Sequence, residues 1–253
     1  MNGERRKFLG RALGVGSVLW LGGCDRLSAE PWLQRVLGRA EGVNRWLQRR
    51  ITGRDSLAPE YAEADLSPRF KANGSTNPDD PAYVASAAGG FADWRLAIGG
   101  LVERPMQFSL AELRAMPART QITRHDCVEG WSCIGKWTGV PLAALLQRVG
   151  PRPAARFVVF HCADRLTRWD DKYYESIDLE EANHPQTILA YGMNDQPLPI
   201  PHGAPLRLRV ERQLGYKMAK YGMAIELVDS FARIGRGRGG YWEDRGYEWY
   251  AGI

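Results

Sequence analysis

Between residues 31 and 54 apolar side chains recur at helical spacing. Trp32, Leu33, Val36, Leu37, Ala40, Val43, Trp46, Leu47 and Ile51 form one stripe, and arginines fill much of the other face. The pattern predicts a basic amphipathic helix, weakened at Gly38 and Gly42. Two fates are open to the stripe: it lies on anionic lipid, or it packs on the domain that follows. From 55 to 92 the periodicity fades into Pro, Asp, Asn, Ser and Gly, which predicts an extended, loop-rich arm. Beyond Trp94, short alternating or apolar runs predict strands at 94–102, 120–126, 156–163, 187–193, 205–210 and 221–228. Ser109 is placed to cap a short helix reaching Ala115. Pro141 opens a helix over 142–149 that stops at Gly150, and Asp178 caps a turn of helix reaching Ala182. Strands and helices mix without βαβ alternation, so the expected fold is α+β with a predominantly β core.

An apolar fraction of 44% and a charged fraction of 25% exclude a disordered chain, and 253 residues can bury a sizeable core without staples. The net charge of +5 is unevenly placed: Arg5, Arg6, Lys7 and Arg11, then Arg35, Arg39, Arg45, Arg49, Arg50 and Arg54, crowd the N-terminal end. That placement points to an anionic membrane surface rather than a nucleic-acid face. A single short Arg-Gly run at 236–240 does not change this, and no nucleic-acid partner is expected. Arg5-Arg6 with Phe8-Leu9 and a modestly apolar run to Leu21 resemble a twin-arginine export signal, and the run is too short to span a bilayer. Leu21-Gly22-Gly23-Cys24 resembles a lipobox that would make Cys24 the lipidated first residue, and Asp25 resembles an inner-membrane retention signal.

With Cys24 set aside, Cys127, Cys133 and Cys162 remain, an odd number that cannot pair completely within one chain in an oxidising compartment. No Cys-x-x-Cys pair is present, so the usual zinc spacings are absent. At least one thiol is free or bound to something.

Four motifs follow one another. The first is Cys127-Val128-Glu129-Gly130-Trp131-Ser132 with Trp137-Thr138-Gly139-Val140-Pro141-Leu142. The second is Asp178-Leu179-Glu180-Glu181-Ala182-Asn183-His184-Pro185. The third is Leu198-Pro199 with His202-Gly203-Ala204-Pro205-Leu206-Arg207-Leu208, and the fourth is Gly215-Tyr216-Lys217-Met218-Ala219-Lys220. In this order they resemble the catalytic domain of the sulfite oxidase family, most closely its periplasmic protein-methionine-sulfoxide reductase branch, over roughly residues 67–230. The resemblance implies a sulfite-oxidase-type molybdopterin-binding fold, a cofactor of molybdopterin with molybdenum, and Cys127 as the protein's ligand to the metal. Soft sulfur ligands suit a metal that changes oxidation state and exchanges oxygen, while the protein supplies orientation and field. Glu129 and Trp131 are expected to flank the metal.

The same resemblance implies further cofactor contacts. They are Arg207, His202 (where the nearest branch carries Asn), the run Met218, Ala219 and Lys220, and the preceding Lys217. Cys162 falls where the reductases have a threonine, and Asn73, Thr76 and Asn77 of the arm complete the set. Glu129 either steers protons or is salt-bridged, with Arg124 as the expected partner. His125 and His161 are proton donors or structural groups, and Cys133 is expected to be a core thiol. The aromatic tail at 241–250 folds over the pocket or docks on the core, with docking expected.

The expected organisation is a signal over 1–24, a basic helix and linker over 25–66, and a catalytic domain over 67–253. The location is the periplasm, anchored at the outer face of the inner membrane by lipid or by the basic helix. The expected reaction is oxygen-atom transfer, reducing a small-molecule or protein-bound S-oxide or similar oxide with electrons from a membrane cytochrome or quinol. The short stretch after the last predicted strand lacks room for the dimerisation domain common in the sulfite-oxidising branch. Against this, the compact loop at 163–174 implies a pocket unlike that of the known reductases. Sulfite dehydrogenation is the alternative reaction, and a metal-free lipoprotein binding module is the alternative of another class.

Overall fold

In the computed structural model, which describes residues 30–167 and 171–253, the chain divides into two units, Met1–Ile51 and Thr52–Ile253. The export signal and Cys24 lie outside the described residues. In the first unit the amphipathic stretch forms two helices, α1 (Pro31–Leu37) and α2 (Ala40–Thr52), broken at Gly38 and Arg39. Val43, Trp46, Leu47 and Ile51 make an exposed stripe along α2. Among the described residues no helix is long and apolar enough to cross a membrane.

The second unit is built on two five-stranded sheets. One carries the order β2 (Met106–Ser109), β1 (Arg95–Gly100), β10 (Gly222–Val228), β5 (Phe157–Cys162) and β6 (Tyr174–Asp178). Here β1 and β10 run parallel and the other neighbours antiparallel. The other sheet orders β3 (Arg119–Cys127), β4 (Trp131–Pro141), β7 (Ile188–Met193) and β8 (Gln196–Pro197), with β9 (Arg207–Arg209) also pairing β7. Alternate residues of both sheets point into one core, including Leu96 and Ile98 of β1, Val158 and Phe160 of β5, Leu189 of β7 and Leu208 of β9. Four short helices complete the unit: α3 (Pro81–Ala88), α4 (Leu110–Ala115), α5 (Leu142–Val149) and α6 (Leu179–Ala182). The α+β reading with a mainly β core holds.

Local chemistry sets the helix ends. Ser109 and Glu112 form a reciprocal capping box on α4, and the Asp178 carboxylate accepts the Glu181 N–H at the start of α6. Gly150 closes α5 at φ +68°, a left-handed conformation that glycine adopts without strain. The arm, expected to be a linker up to residue 66, is tied to the sheet well before that. Glu60 bridges Thr123, the Tyr61 N–H donates to Ile122 O at 2.9 Å, and the Ser67 N–H donates to Ile134 O at 3.1 Å. These bonds lay residues 60–75 along the β3–β4 hairpin and bring the arm to the end of that hairpin.

Candidate active site

The β3–β4 hairpin is in register from Arg119 opposite Gly139 to Cys127 opposite Trp131. Only Val128, Glu129 and Gly130 connect the strands. Gly130 sits at φ +83°, and its N–H donates to Cys127 O at 2.9 Å. A three-residue loop of this kind needs its last residue in the left-handed region, which is why glycine stands there. The turn places Cys127 and Trp131 side by side at the rim of a cavity of about 790 Å³, counting its open mouth.

Cys127 Sγ accepts from Asn73 Nδ2 at 3.7 Å, and partial burial pushes its thiol above the ordinary range. Glu129 accepts the Trp131 indole N–H at 3.0 Å and lies 3.6 Å from Lys71 Nζ. These bonds, the indole first, hold its carboxyl below the usual range, so it is ionised at neutral pH. The expected partner Arg124 is instead 2.9 Å from Asp126. Strand alternation explains the difference: Arg124 and Asp126 share one face of β3, whereas Glu129 lies beyond the strand end, where Lys71 of the arm reaches it.

The inner wall is cationic. Arg207 and Arg209 of β9 both lie over Trp137, at 4.8 and 4.4 Å from its ring centre. Arg209 is neutralised by Glu211, at 2.9 and 2.6 Å. Arg207 donates one bond, to His202 O at 2.9 Å, and its buried Nε has no partner among the described residues. Burial, then Arg209, pulls Arg207 down to about 9. Burial, then Arg207 and Lys220, pulls His202 down to about 4. Lys220 Nζ donates to the carbonyls of Asn73 (2.8 Å), Pro201 (3.3 Å) and Ser75, which pins the arm across the cavity. Asp164 lines the same wall with a buried Oδ1 that likewise has no partner among the described residues, and burial raises its carboxyl.

His125 also lines the cavity. Its Nδ1 receives the Arg209 guanidinium at 3.1 Å, so the proton of the neutral ring lies on Nε2. Burial, then Arg209, holds it far below the usual range, which makes it a structural acceptor rather than a proton donor.

Asn73, Cys127, Glu129 and Trp131, together with His202, Arg207, Met218 and Lys220, therefore converge as expected from the motifs. Others do not. Thr76 and Asn77 lie off the cavity, where Gly74 and Ser75 line it instead. Cys162 and Ala219 belong to the apolar core, Ala219 also accepting the Leu208 N–H at 2.8 Å. Cys162 sits on β5, whose residues 158, 160 and 162 point inward, so its side chain is committed to packing. Lys217 turns away into a buried cluster, 2.5 Å from both Glu175 and Glu243. His161 pairs with Glu226 at 3.0 Å on the other sheet. Cys133 lies partly exposed on β4 rather than in the core.

Asp164 lines the cavity without having been expected there, and so do the tail residues Trp242 and Tyr247, for which docking on the core is the preferred of the two sequence readings. The aromatic density of the tail is visible in the sequence, but its position is not. Both readings of the tail hold in part: Tyr241 docks in the core while Trp242 and Tyr247 reach the cavity.

The model of the oxidoreductase molybdopterin binding domain matches residues 84–233. The chain is 38% identical over 248 residues, 98% of its length and 87% of the relative's, to a putative protein-methionine-sulfoxide reductase subunit YedZ1 of Azospira oryzae. It is 32% identical over 243 residues, 89% of its length and 69% of the relative's, to the protein-methionine-sulfoxide reductase catalytic subunit MsrP of Ralstonia nicotianae. Among solved structures it resembles the sulfane dehydrogenase SoxCD of Paracoccus pantotrophus, with a TM-score of 0.50 and 25% identity over 55% of this chain and 39% of that one.

The wall described above fits molybdopterin. An anionic phosphate answers the dehydrated charge of Arg207, the N–H edges of a pterin answer the unpartnered Asp164 oxygen, and Cys127 offers one soft sulfur.

Proposed function

The chain belongs to the oxidoreductase molybdopterin-binding domain family, that of sulfite oxidase, and is a molybdenum-dependent oxidoreductase; from that premise we propose that it reduces an organic S-oxide, with Cys127 as the protein's ligand to the metal. In the net reaction a sulfoxide takes up two electrons and two protons, its sulfur–oxygen bond breaks, and a sulfide and water are released. The observation that carries the cofactor reading is Arg207, a buried cation whose Nε has no partner and whose charge no carboxylate among the described residues neutralises as Glu211 does that of Arg209. The sulfoxide reading rests on relatives named protein-methionine-sulfoxide reductases that align with most of the chain.

When bound, the cofactor supplies oxygen-atom transfer. The chain supplies the rest. Arg207, with His202 held neutral beside it, binds the cofactor's anionic and polar edges, and Lys220, whose donors are taken by the carbonyls of Asn73, Ser75 and Pro201, holds the arm in place around them. Met218 lines the same cavity, its Sδ 3.2 Å from His125 Nδ1. Asn73 orients the Cys127 sulfur. Glu129, ionised and fixed by Trp131 and Lys71, sets a negative charge at the rim.

The exposed apolar stripe and basic residues of α2 support attachment to an anionic membrane surface, on the periplasmic face if the twin-arginine motif acts as read. A membrane cytochrome or quinol then serves as electron donor, which an anchor would keep close.

Mass spectrometry of the purified protein should find about one molybdenum per chain; its absence would leave a binding module. With reduced viologen the loaded enzyme should reduce methyl sulfoxides, and with ferricyanide it should oxidise sulfite slowly. Fast sulfite oxidation without any sulfoxide reduction reverses the assignment. The likeness to a sulfane dehydrogenase makes that second assay necessary.

A further inference from the structure

The tail supplies two aromatic rings to the cavity from a segment beyond residue 233, where the family match ends. Trp242 and Tyr247 stack with ring centres 5.2 Å apart and planes at 25°, and Tyr216 meets Tyr247 edge-on at 5.2 Å. Burial orders the cavity from inside to outside: Arg207 is 5% exposed, whereas Tyr247 at the mouth is 38% exposed.

The stack is held firmly. Gly246, at φ +103°, reverses the chain so that the Tyr247 N–H donates to Trp242 O at 3.1 Å. Glu243, between the two rings in sequence, is fully buried against Lys217. Asp244 accepts the Tyr174 hydroxyl at 2.6 Å and the backbone N–H of Arg236 at 2.8 Å. A pair fixed this way loses little freedom when a ligand arrives.

Near the hairpin, Lys71 is already engaged with Glu129 and with the face of Trp131, at 4.9 Å. The mouth therefore offers π-faces to a neutral group more readily than a bare cation to an oxyanion.

We propose that Trp242 and Tyr247 form a substrate-facing wall, and that this wall selects neutral organic sulfoxides carrying an apolar or aromatic substituent over the smallest members of the class. The proposal rests on the S-oxide reductase reading. Apolar groups beside sulfur pack on aromatic faces, and such contacts favour the larger substrate where dimethyl sulfoxide has nothing to place. Trp242 and Tyr247 are specificity residues in this account.

The test compares methyl p-tolyl sulfoxide with dimethyl sulfoxide on the molybdenum-loaded enzyme with reduced viologen. The ratio of their kcat/KM values should fall about tenfold in Trp242→Ala and in Tyr247→Ala, and should stay within about threefold of wild type in Trp242→Phe. Tyr247 is exposed enough that its truncation should leave the fold intact, which the unfolding temperature checks. An unchanged ratio, with both substrates slowed equally or neither affected, overturns the wall. A second arm needs no turnover: calorimetric binding of methyl p-tolyl sulfoxide to the oxidised enzyme should weaken about tenfold in Tyr247→Ala. If wild type reduces neither sulfoxide, the reductase reading fails. The binding arm then decides the wall alone: loss of affinity on removing Tyr247 sustains it, and equal or absent binding in both proteins refutes it.

Discussion

Arg207 and Arg209 stack on the same Trp137 ring, two residues apart on one strand, and of the two only Arg209 has a carboxylate partner among the described residues. A strand turns residues i and i+2 to the same face, so both guanidinium groups enter the same dehydrated space. Glu211, two residues further on, neutralises the first it meets. The charge left on Arg207 is tolerable if something anionic shares the cavity, and costly if nothing does.

Replacing Arg207 with Met should therefore act in opposite directions on the two forms of the protein. Without cofactor, removal of an uncompensated buried cation should leave stability unchanged or raise it by up to about 3 kcal/mol. The molybdenum content of protein matured in cells should meanwhile fall. Arg209→Met should destabilise both forms, by about 3–5 kcal/mol, because it strands Glu211. Urea unfolding of the cofactor-free variants and metal analysis of the loaded ones check this. Equal destabilisation by the two substitutions would show that Arg207 is not a charge in waiting.

Cys127→Ser should keep the fold, since the side chain is only partly buried and its sulfur accepts only weak bonds, from the Glu129 backbone N–H and from the Asn73 amide at 3.7 Å. A hydroxyl is a hard, weakly acidic ligand, so metal retention should drop by at least about tenfold. Cys133→Ser, whose sulfur is 3.8 Å from Arg69 O on another part of the hairpin, should leave metal content alone. Circular dichroism with molybdenum analysis distinguishes the two. Full metal content in Cys127→Ser would remove that sulfur from the site.

What the chain discloses on its own depends on whether a signal is local. Helix caps at Ser109 and Asp178 and the glycine stop at Gly150 are local, and those helices end where expected. Strand β4 escapes such a reading, because its glycines imitate a loop. Their reason is distant: a Cβ on Gly139 would lie 2.2 Å from Leu189 O, and one on Gly135 about 3.0 Å from the Phe70 ring. Helix α3 is hidden in the loop-like arm for a related reason, since Asp80 and Pro81 read as turn residues until Asp80 is seen to cap Tyr83.

At the site, motif residues are legible where motif and geometry coincide. Lys217 and Lys220 show the limit. Three residues apart in one motif, they serve separate clusters, Lys217 the ion cluster beneath the tail and Lys220 the cavity, because the turn at 215–217 points them apart. Asp164 and the tail aromatics carry no local mark of the cavity they reach.

Lys217 should be among the least replaceable residues outside the cavity. It is 0% exposed between Glu175 and Glu243, and burial, then Glu243, raises the Glu175 carboxyl well above its ordinary range. Lys217→Met leaves two buried carboxylates without their cation, and the loss should be about 3–5 kcal/mol. The double variant Lys217→Met with Glu243→Gln should recover part of it. Urea unfolding of the single and double variants measures the coupling. A single variant of native stability would mean that the tail is not held through this cluster.

His184 gives the fold a predictable weakness in mild acid. Its ring is 4% exposed and bridges two backbone groups, with Nε2 3.1 Å from Ser56 O and Nδ1 accepting the Gln186 N–H at 3.2 Å. Only the neutral ring, protonated on Nε2, makes both bonds. Burial, then Arg212, pulls it down to about 4, with Asp55 opposing and Arg119 adding to the fall. The folded state thus binds its proton later than the unfolded state, whose histidine titrates near 6.5. Between those values the unfolded chain carries more protons, so stability falls as pH falls, by up to about 3 kcal/mol across the window. The stabilisation is complete above the unfolded value and gone below the folded one. His202, also near 4, and His125, held far below the usual range, add effects of the same sign. His184→Gln keeps a donor and an acceptor but cannot titrate. Urea unfolding at pH 7 and pH 5 should therefore show wild type losing more stability than the variant, by about 1–2 kcal/mol. The substitution leaves every other titrating group in place, so equal losses in the two proteins would show that the buried imidazole is not the group responsible.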